Sequence, residues 1–240
     1  MSTSDAENRA VPWGLWPTLG FTAIVLATYF GMQVAIAILY AIFQLAQNPN
    51  IDREAFAKNL SINGFLLSIS VIGSAPICTA LTIWFAKLRK NINIKIYLGL
   101  RQATIKDYFL WLIFWALYIA ITAGITNLLK ISAPPFVTEI VKTAYFPPAL
   151  YLAIVVIAPI FEEVLFRGFL FEGIRRSRLG SIGSILITSL LWTIIHTQYD
   201  LYFMGVLFAL GILLGMARLK TRSVYLTILL HSVNNLLAVL

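Results

Sequence analysis

Seven long apolar segments divide this chain, and they restrict its fold more than any other feature. They are separated by charged residues or prolines and fall near Leu19–Ala46, Gly64–Ala86, Tyr108–Leu129, Ala149–Phe171, Ile182–His196, Leu201–Leu219 and Val224–Leu240. A helix needs ~20 apolar residues to cross a bilayer, and in hydrocarbon its backbone polar groups must bond within the segment. The segments therefore predict an all-α fold, a polytopic transmembrane bundle of about seven helices.

The composition agrees with a membrane protein and excludes a soluble core. Only 12% of the 240 residues are charged, whereas soluble domains average about 25%. The single cysteine, Cys78, excludes an internal disulfide and lies in an apolar segment, where it is expected to pack as a small hydrophobic group. We expect a polar tail at residues 1–17, no cleaved signal, and one transmembrane domain over residues 18–240.

The basic residues are distributed unevenly between the two ends of the predicted helices. The end that carries the N-terminus has thirteen of them, Arg9, Lys87, Arg89, Lys90, Lys95, Arg101, Lys106, Arg175, Arg176, Arg178, Arg218, Lys220 and Arg222, and the other end has four, Arg53, Lys58, Lys130 and Lys142. Lysine and arginine concentrate on the cytoplasmic side of membrane proteins. We therefore expect a cytoplasmic N-terminus and an external C-terminus. The net charge of +8 then reflects contact with a lipid bilayer, with no nucleic acid as partner.

Two segments between the predicted helices are harder to interpret. The stretch Asn91–Asp107 mixes apolar and basic residues, so it fits a helix lying in the membrane interface and a solvated loop equally well. Ser132–Pro148 contains four prolines and is predicted to be a loop on the non-cytoplasmic side.

Three charged residues, Glu162, Glu163 and Arg167, lie inside the fourth apolar segment. Charges within membrane spans are rare, costly and usually functional. Glu163 and Arg167 have the i, i+4 spacing of a helical ion pair, which predicts a supporting role for both. Glu162 lies about 100° around the helix from Glu163 and is expected to face a cavity. A purely structural ion cluster of all three residues is the alternative.

The only two histidines, His196 and His231, lie in the same C-terminal third of the chain. Glu162 and His196 are each 17 residues from Leu179, at the predicted turn between two helices, so both are expected at the same depth, ~25 Å from the turn. His231 and Asn235 are four residues apart and share one helix face. Taken singly, His196 also fits a helix cap, and His231 fits an interhelical hydrogen bond. Together with Glu162 they predict a catalytic site of Glu162, His196, His231 and Asn235.

Three motifs in this part of the chain resemble those of the CPBP family of membrane peptidases. They read Glu162-Glu163-x-x-x-Arg167, Trp192-x-x-x-His196 and His231-x-x-x-Asn235, and Trp192 stands where the family usually has Phe. The family includes CAAX prenyl endopeptidases, bacteriocin-immunity (Abi) proteins and lysostaphin-resistance proteins. The resemblance covers about residues 149–240, the expected catalytic core. It implies a membrane endopeptidase, a hydrolase that cuts a membrane-associated protein or peptide. The expected location is the plasma membrane or the bacterial inner membrane.

Two hydrolytic schemes fit these residues. In the favoured scheme, which needs no cofactor, Glu162 and His196 activate a water while His231 and Asn235 bind the oxyanion. In the other, His196, His231 and Glu162 hold Zn²⁺, as in a metalloprotease, although neither histidine belongs to an H-E-x-x-H motif. A non-catalytic immunity or partner protein, or a transporter, remains as an alternative. An aspartyl protease is disfavoured because no aspartate lies inside a span.

Overall fold

The computed structural model describes residues 12–132 and 134–240, which form ten helices and no strand. Seven are apolar: α1 (Leu15–Gln47), α3 (Gly64–Lys87), α5 (Ile105–Leu128), α7 (Pro147–Arg175), α8 (Gly180–Ile194), α9 (Leu201–Thr221) and α10 (Val224–Val239). Three are short: α2 (Arg53–Leu60), α4 (Ile94–Leu98) and α6 (Pro135–Lys142).

The predicted all-α fold is confirmed, and each predicted apolar segment corresponds to one helix. Five of these helices are long and apolar enough to cross a membrane, while α8 and α10 are shorter. The predicted polar tail at residues 1–17 falls mostly outside the described residues, and α1 begins within it, at Leu15.

Polar caps fix where several of the apolar helices begin. The Asn63 side chain accepts a hydrogen bond from the backbone N–H of Leu66 at 2.8 Å, at the start of α3. Asp200 caps α9 and Ser223 caps α10 in the same way. The first backbone N–H groups of a helix have no partner inside it, and in an apolar environment leaving them unbonded is costly. The caps therefore explain why these helices begin at the edges of their apolar segments.

Helix α7 forms the centre of the bundle. Every residue from Phe161 to Ile174 is buried, whereas α1 and α5 leave large apolar side chains such as Ile42 and Ile113 exposed. Exposed apolar surface of this kind suits contact with lipid. The three charged residues of the fourth apolar segment therefore lie on the most enclosed helix of the protein.

Two parts of α7, Leu152–Ile157 and Glu163–Leu170, are π-helical. A π-helix closes i→i+5 hydrogen bonds, so its turns hold more residues and a given number of residues covers less length. Glu162 consequently lies nearer to the turn than an α-helix would place it. The indole N–H of Trp192, in α8, donates a hydrogen bond to Glu162 Oε2. Glu162 and His196 nevertheless line the same cavity, which is described below.

One end of the bundle, here called the basic end, is where α1, α5, α8 and α10 begin and α3, α7 and α9 end. Helix α4 lies there and packs into the protein, with Tyr97 2% and Leu98 0% exposed. The stretch Asn91–Asp107 thus contains a short helix with buried residues, and it is not a solvated loop throughout. Gly99 ends α4 with φ +69°, a conformation that favours glycine. Its carbonyl accepts a hydrogen bond from Val224 N at 2.8 Å, which joins α4 to the start of α10.

The opposite end contains α6, a helix within the segment that was predicted to be a loop. Pro135 occupies its first turn, where a missing N–H costs nothing. Ile140 is buried, and its carbonyl oxygen lies only 1.9 Å from where a Cβ on Gly64 would stand. Thr143 Oγ1 also accepts a hydrogen bond from Gly64 N at 2.9 Å. These contacts hold α6 against the start of α3.

Candidate active site

All four predicted catalytic residues line a single cavity of about 360 Å³. Helix α7 contributes Glu162, α10 contributes His231 and Asn235, and His196 lies just beyond the end of α8. Helices α1, α3, α6 and α9 also contribute to the walls, which are mainly apolar. Glu162 is 8% and His231 2% exposed. A carboxylate, two imidazoles and an amide therefore share one cavity.

Glu163 binds two partners at the side of this cavity. Its Oε1 accepts a hydrogen bond from Arg167 Nη1 at 2.9 Å, as the i, i+4 spacing predicts, and both side chains are fully buried. The same oxygen lies 3.0 Å from His231 Nδ1. Sequence spacing gave no indication of the second contact, because Glu163 and His231 are 68 residues apart. Glu163 thus holds the His231 ring in addition to pairing with Arg167.

This contact determines which nitrogen of His231 faces the cavity. A carboxylate accepts hydrogen bonds, so Nδ1 of His231 carries a proton and donates it to Glu163. Nε2 then points toward Glu162, with 3.9 Å between Nε2 and Glu162 Oε2. Nε2 accepts a hydrogen bond when the ring is neutral and donates one when the ring is protonated.

Trp192 connects the charged residues to both histidines. Its indole N–H donates to Glu162 Oε2, and the Arg167 guanidinium lies 4.8 Å from its ring centre. The His196 and His231 rings contact it edge to face, with centroid distances of 4.9 Å and 5.2 Å. From the sequence, Trp192 was considered only as an aromatic substitute for Phe. A sequence feature that could have indicated its role is the indole N–H, a hydrogen-bond donor that Phe lacks, one helical turn before His196.

His196 is oriented by a backbone group. Its Nδ1 lies 2.7 Å from the carbonyl oxygen of Trp192. Because a carbonyl only accepts, Nδ1 carries the proton, and Nε2 of the neutral ring keeps a free lone pair. His196 therefore suits the acceptance of a proton or hydrogen bond from a water.

Asn235 has a structural partner that the sequence did not reveal. Its Nδ2 donates a hydrogen bond to the carbonyl oxygen of Ile154 at 3.0 Å. Ile154 lies in the first π-helical part of α7, where Ala158 N already bonds to Ala153 O, five residues earlier. The next bond of that series would join Pro159 to Ile154, but proline has no N–H. Asn235 therefore supplies the hydrogen bond that Pro159 cannot make.

Two further residues of the cavity come from α1, outside the matched motifs. Tyr29 and Gln33 both line it, and the Tyr29 ring packs on Phe161 with 4.5 Å between the ring centroids. Gln33 is one of the few amide side chains within α1. A polar side chain inside an apolar helix could have marked Gln33 as a candidate site residue from the sequence. The N-terminal half of the chain thus helps to form the cavity.

Among the described residues, the side chains of this cavity are not grouped as ligands for a metal ion. Zinc in catalytic centres is held by three protein ligands that converge on one point. Over residues 12–132 and 134–240, no three histidine, cysteine, aspartate or glutamate side chains come together in this way. Glu162 Oε2 is instead bonded to the Trp192 indole. The residues that were considered as zinc ligands thus share a cavity without forming a ligand set.

Comparison with known proteins places a family resemblance on the same part of the chain. Residues 144–237 match the type II CAAX prenyl endopeptidase family described as Rce1-like. This match confirms the resemblance predicted from the three motifs, and it includes all four residues of the candidate site. An Escherichia coli protein named "Uncharacterized 24.3 kDa protein" is 34% identical over 107 residues, which are 43% of this chain and 49% of that protein. The match therefore spans about half the length of that curated relative. No solved structure matches the chain.

Proposed function

We propose, on the premise of the Rce1-like match over residues 144–237, that this protein is a membrane endopeptidase that hydrolyses a peptide bond with a water activated by Glu162. The observation that supports this most strongly is the shared cavity, in which Glu162 faces two histidines that are each fixed through Nδ1. This arrangement leaves both Nε2 atoms free for proton transfer or hydrogen bonding. A purely structural ion cluster gives no reason for such a cavity.

In the first step, Glu162 acts as general base. Its carboxylate takes a proton from a water that also donates a hydrogen bond to His196 Nε2. The water oxygen forms a bond to the scissile carbonyl carbon, and the carbonyl π electrons move to the oxygen. Trp192 keeps one Glu162 oxygen in place through its indole N–H, which leaves the other oxygen for the water.

In the second step, the oxyanion is stabilised and the peptide bond breaks. Protonated His231 donates through Nε2, with the positive ring supported by the Glu163 carboxylate at Nδ1. Asn235 uses one amide hydrogen for Ile154 and has a second one for the oxyanion. The C–N bond then cleaves, the carbonyl re-forms, and Glu162 returns the proton to the leaving nitrogen. No step requires a metal ion.

The cavity walls indicate what kind of peptide segment fits. Near the site they present apolar side chains, among them Leu67, Val71, Phe136, Val137 and Leu207. An uncharged, apolar segment can bury its side chains there without placing an unpaired charge in an apolar environment. We therefore propose an apolar stretch of a membrane-associated protein or peptide as substrate.

The function is tested by incubating purified protein in detergent with a peptide library in ¹⁸O-labelled water. Mass spectrometry is expected to show cleaved apolar peptides with ¹⁸O in the new carboxyl terminus. Glu162→Gln is expected to abolish cleavage, whereas Glu54→Gln, the same change at an exposed position of α2, is expected to retain it. Absence of cleavage by the wild type would favour a non-catalytic role, and equal cleavage by all three proteins would contradict Glu162 as the base.

A further inference from the structure

The cavity lies toward the end of the bundle opposite the basic end, here called the cavity end. Its lining includes Ser61 before α3, Phe136 in α6, Gln198 and Tyr199 in the α8–α9 loop, and Val239 at the end of α10. Each of these residues belongs to that end. The site residues Glu162 and His231 lie deeper, within α7 and α10. The cavity thus runs from the interior of the bundle toward the cavity end.

Helix α4 closes the other direction. The Tyr97 ring packs against Phe169 with 5.6 Å between the centroids, and the Leu98 carbonyl oxygen lies 3.1 Å from where a Cβ on Gly168 would stand. Just beyond, Arg218 Nε donates to the Arg167 carbonyl oxygen at 2.8 Å. Every residue of α7 between the site and this seal is buried. A peptide therefore has no open route to Glu162 from the basic end.

The charges identify which side of the membrane each end occupies. Within the described residues, the basic end carries twelve basic residues, Lys87, Arg89, Lys90, Lys95, Arg101, Lys106, Arg175, Arg176, Arg178, Arg218, Lys220 and Arg222. The cavity end carries four, Arg53, Lys58, Lys130 and Lys142. Basic residues in short loops remain in the cytoplasm. The sealed end of the bundle is thus the cytoplasmic one.

From these observations we infer that the cavity opens on the non-cytoplasmic side, and that its substrate is an apolar segment of a polypeptide that has already been exported or inserted into the membrane. That this segment is cleaved as a substrate rests on the proposed function. The direction of the opening is independent of it. The reaction that supplies the substrate is accordingly translocation across, or insertion into, the membrane.

The direction is tested by cysteine labelling of the full chain in intact cells. Cys78, which is buried, is first changed to serine. Ser61→Cys and Gln198→Cys then report on the cavity end, and Lys90→Cys and Arg178→Cys on the basic end; all four positions are exposed. With a membrane-impermeant maleimide, we expect the first pair to label as fully in intact cells as after permeabilisation. The second pair is expected to label only after permeabilisation. The reverse pattern, or equal labelling of both pairs, overturns the inference, and neither result depends on enzymatic activity.

The side of substrate entry is tested with membrane vesicles and an impermeant peptide that the purified protein cleaves. Right-side-out vesicles are expected to cleave the added peptide, and inside-out vesicles only after permeabilisation. Faster cleavage by inside-out vesicles contradicts the inference while leaving the peptidase assignment intact. Cleavage by neither preparation, even after permeabilisation, counts against the proposed function instead.

Discussion

At the scale of single residues, the two adjacent glutamates have different environments. Glu163 is fully buried and holds both Arg167 and His231. Glu162 faces the cavity and has an indole N–H as its hydrogen-bond donor. An amide in place of Glu162 still accepts that hydrogen bond, whereas an amide in place of Glu163 removes the carboxylate that forms the buried ion pair with Arg167. The two positions therefore differ in what a neutral substitution costs.

We predict that Glu163→Gln and Arg167→Ala each lower the free energy of unfolding, by ~3–5 kcal/mol for a buried pair that loses one partner. Glu162→Gln is expected to unfold close to the wild-type temperature. Thermal unfolding in detergent measures all three variants. A destabilised Glu162→Gln beside an unaffected Glu163→Gln would show that the roles of the two glutamates are reversed.

The metal-free scheme makes a second prediction at this scale. Protein treated with a chelator, and shown by elemental analysis to contain no zinc, is expected to retain its peptidase activity. Zinc content and activity are measured on the same sample before and after chelation. Activity that disappears with the metal and returns only with Zn²⁺ would contradict the scheme. In that case His196→Ala and His231→Ala would remove the metal together with the activity.

At the scale of elements, α7 depends on α10 where Pro159 interrupts its hydrogen bonds. Asn235→Ala is expected to lower kcat by ~10²–10³, the usual cost of one oxyanion donor, and also to lower stability by leaving the Ile154 carbonyl unbonded. Pro159→Ala restores a backbone N–H for that carbonyl. When Asn235→Ala is introduced into the Pro159→Ala protein, we expect a smaller loss of stability than in the wild type. The factor by which kcat falls is expected to be the same in both proteins. Recovery of kcat together with stability would mean that Asn235 only positions α7.

Helix α6 covers part of the cavity, and its position depends on Gly64. A Cβ at Gly64 would collide with the backbone of Ile140, so Gly64→Ala is expected to displace α6, lower the unfolding temperature and raise KM. Gly31→Ala, in α1, is the matched control because nothing lies within 4 Å of its Cβ position. Peptide kinetics for both variants test this role. If Gly64→Ala displaces α6 and KM is unchanged, α6 does not contact the substrate.

At the scale of the whole molecule, the sequence predicted the seven apolar helices because segment length and backbone hydrogen bonding in lipid leave little choice. It left a helix at α4 as one of two alternatives and predicted a loop at α6, since both helices are stabilised by distant residues, through Gly168 and Gly64 respectively. The π-helical parts of α7 and the hydrogen bond between Trp192 and Glu162 were also missed.

The candidate site shows the same division. The i, i+4 spacing was sufficient to predict the Glu163–Arg167 ion pair. The four catalytic residues predicted from the three motifs all line one cavity. The contacts of Glu163 with His231 and of Asn235 with Ile154 join helices that are far apart in the chain. Such contacts depend on how helices pack, which a single sequence does not specify.

At the same scale, the proposed activity of the molecule depends on Glu162 as the base that activates water. The most direct measurement is the single-turnover rate of purified wild-type and Glu162→Gln protein on one cleaved peptide, with unfolding temperatures determined on the same preparations. We predict equal unfolding temperatures and a rate for Glu162→Gln that is lower by at least ~10²–10⁴, the usual contribution of a general base. A Glu162→Gln protein that is correctly folded and cleaves the peptide at the wild-type rate would contradict the account.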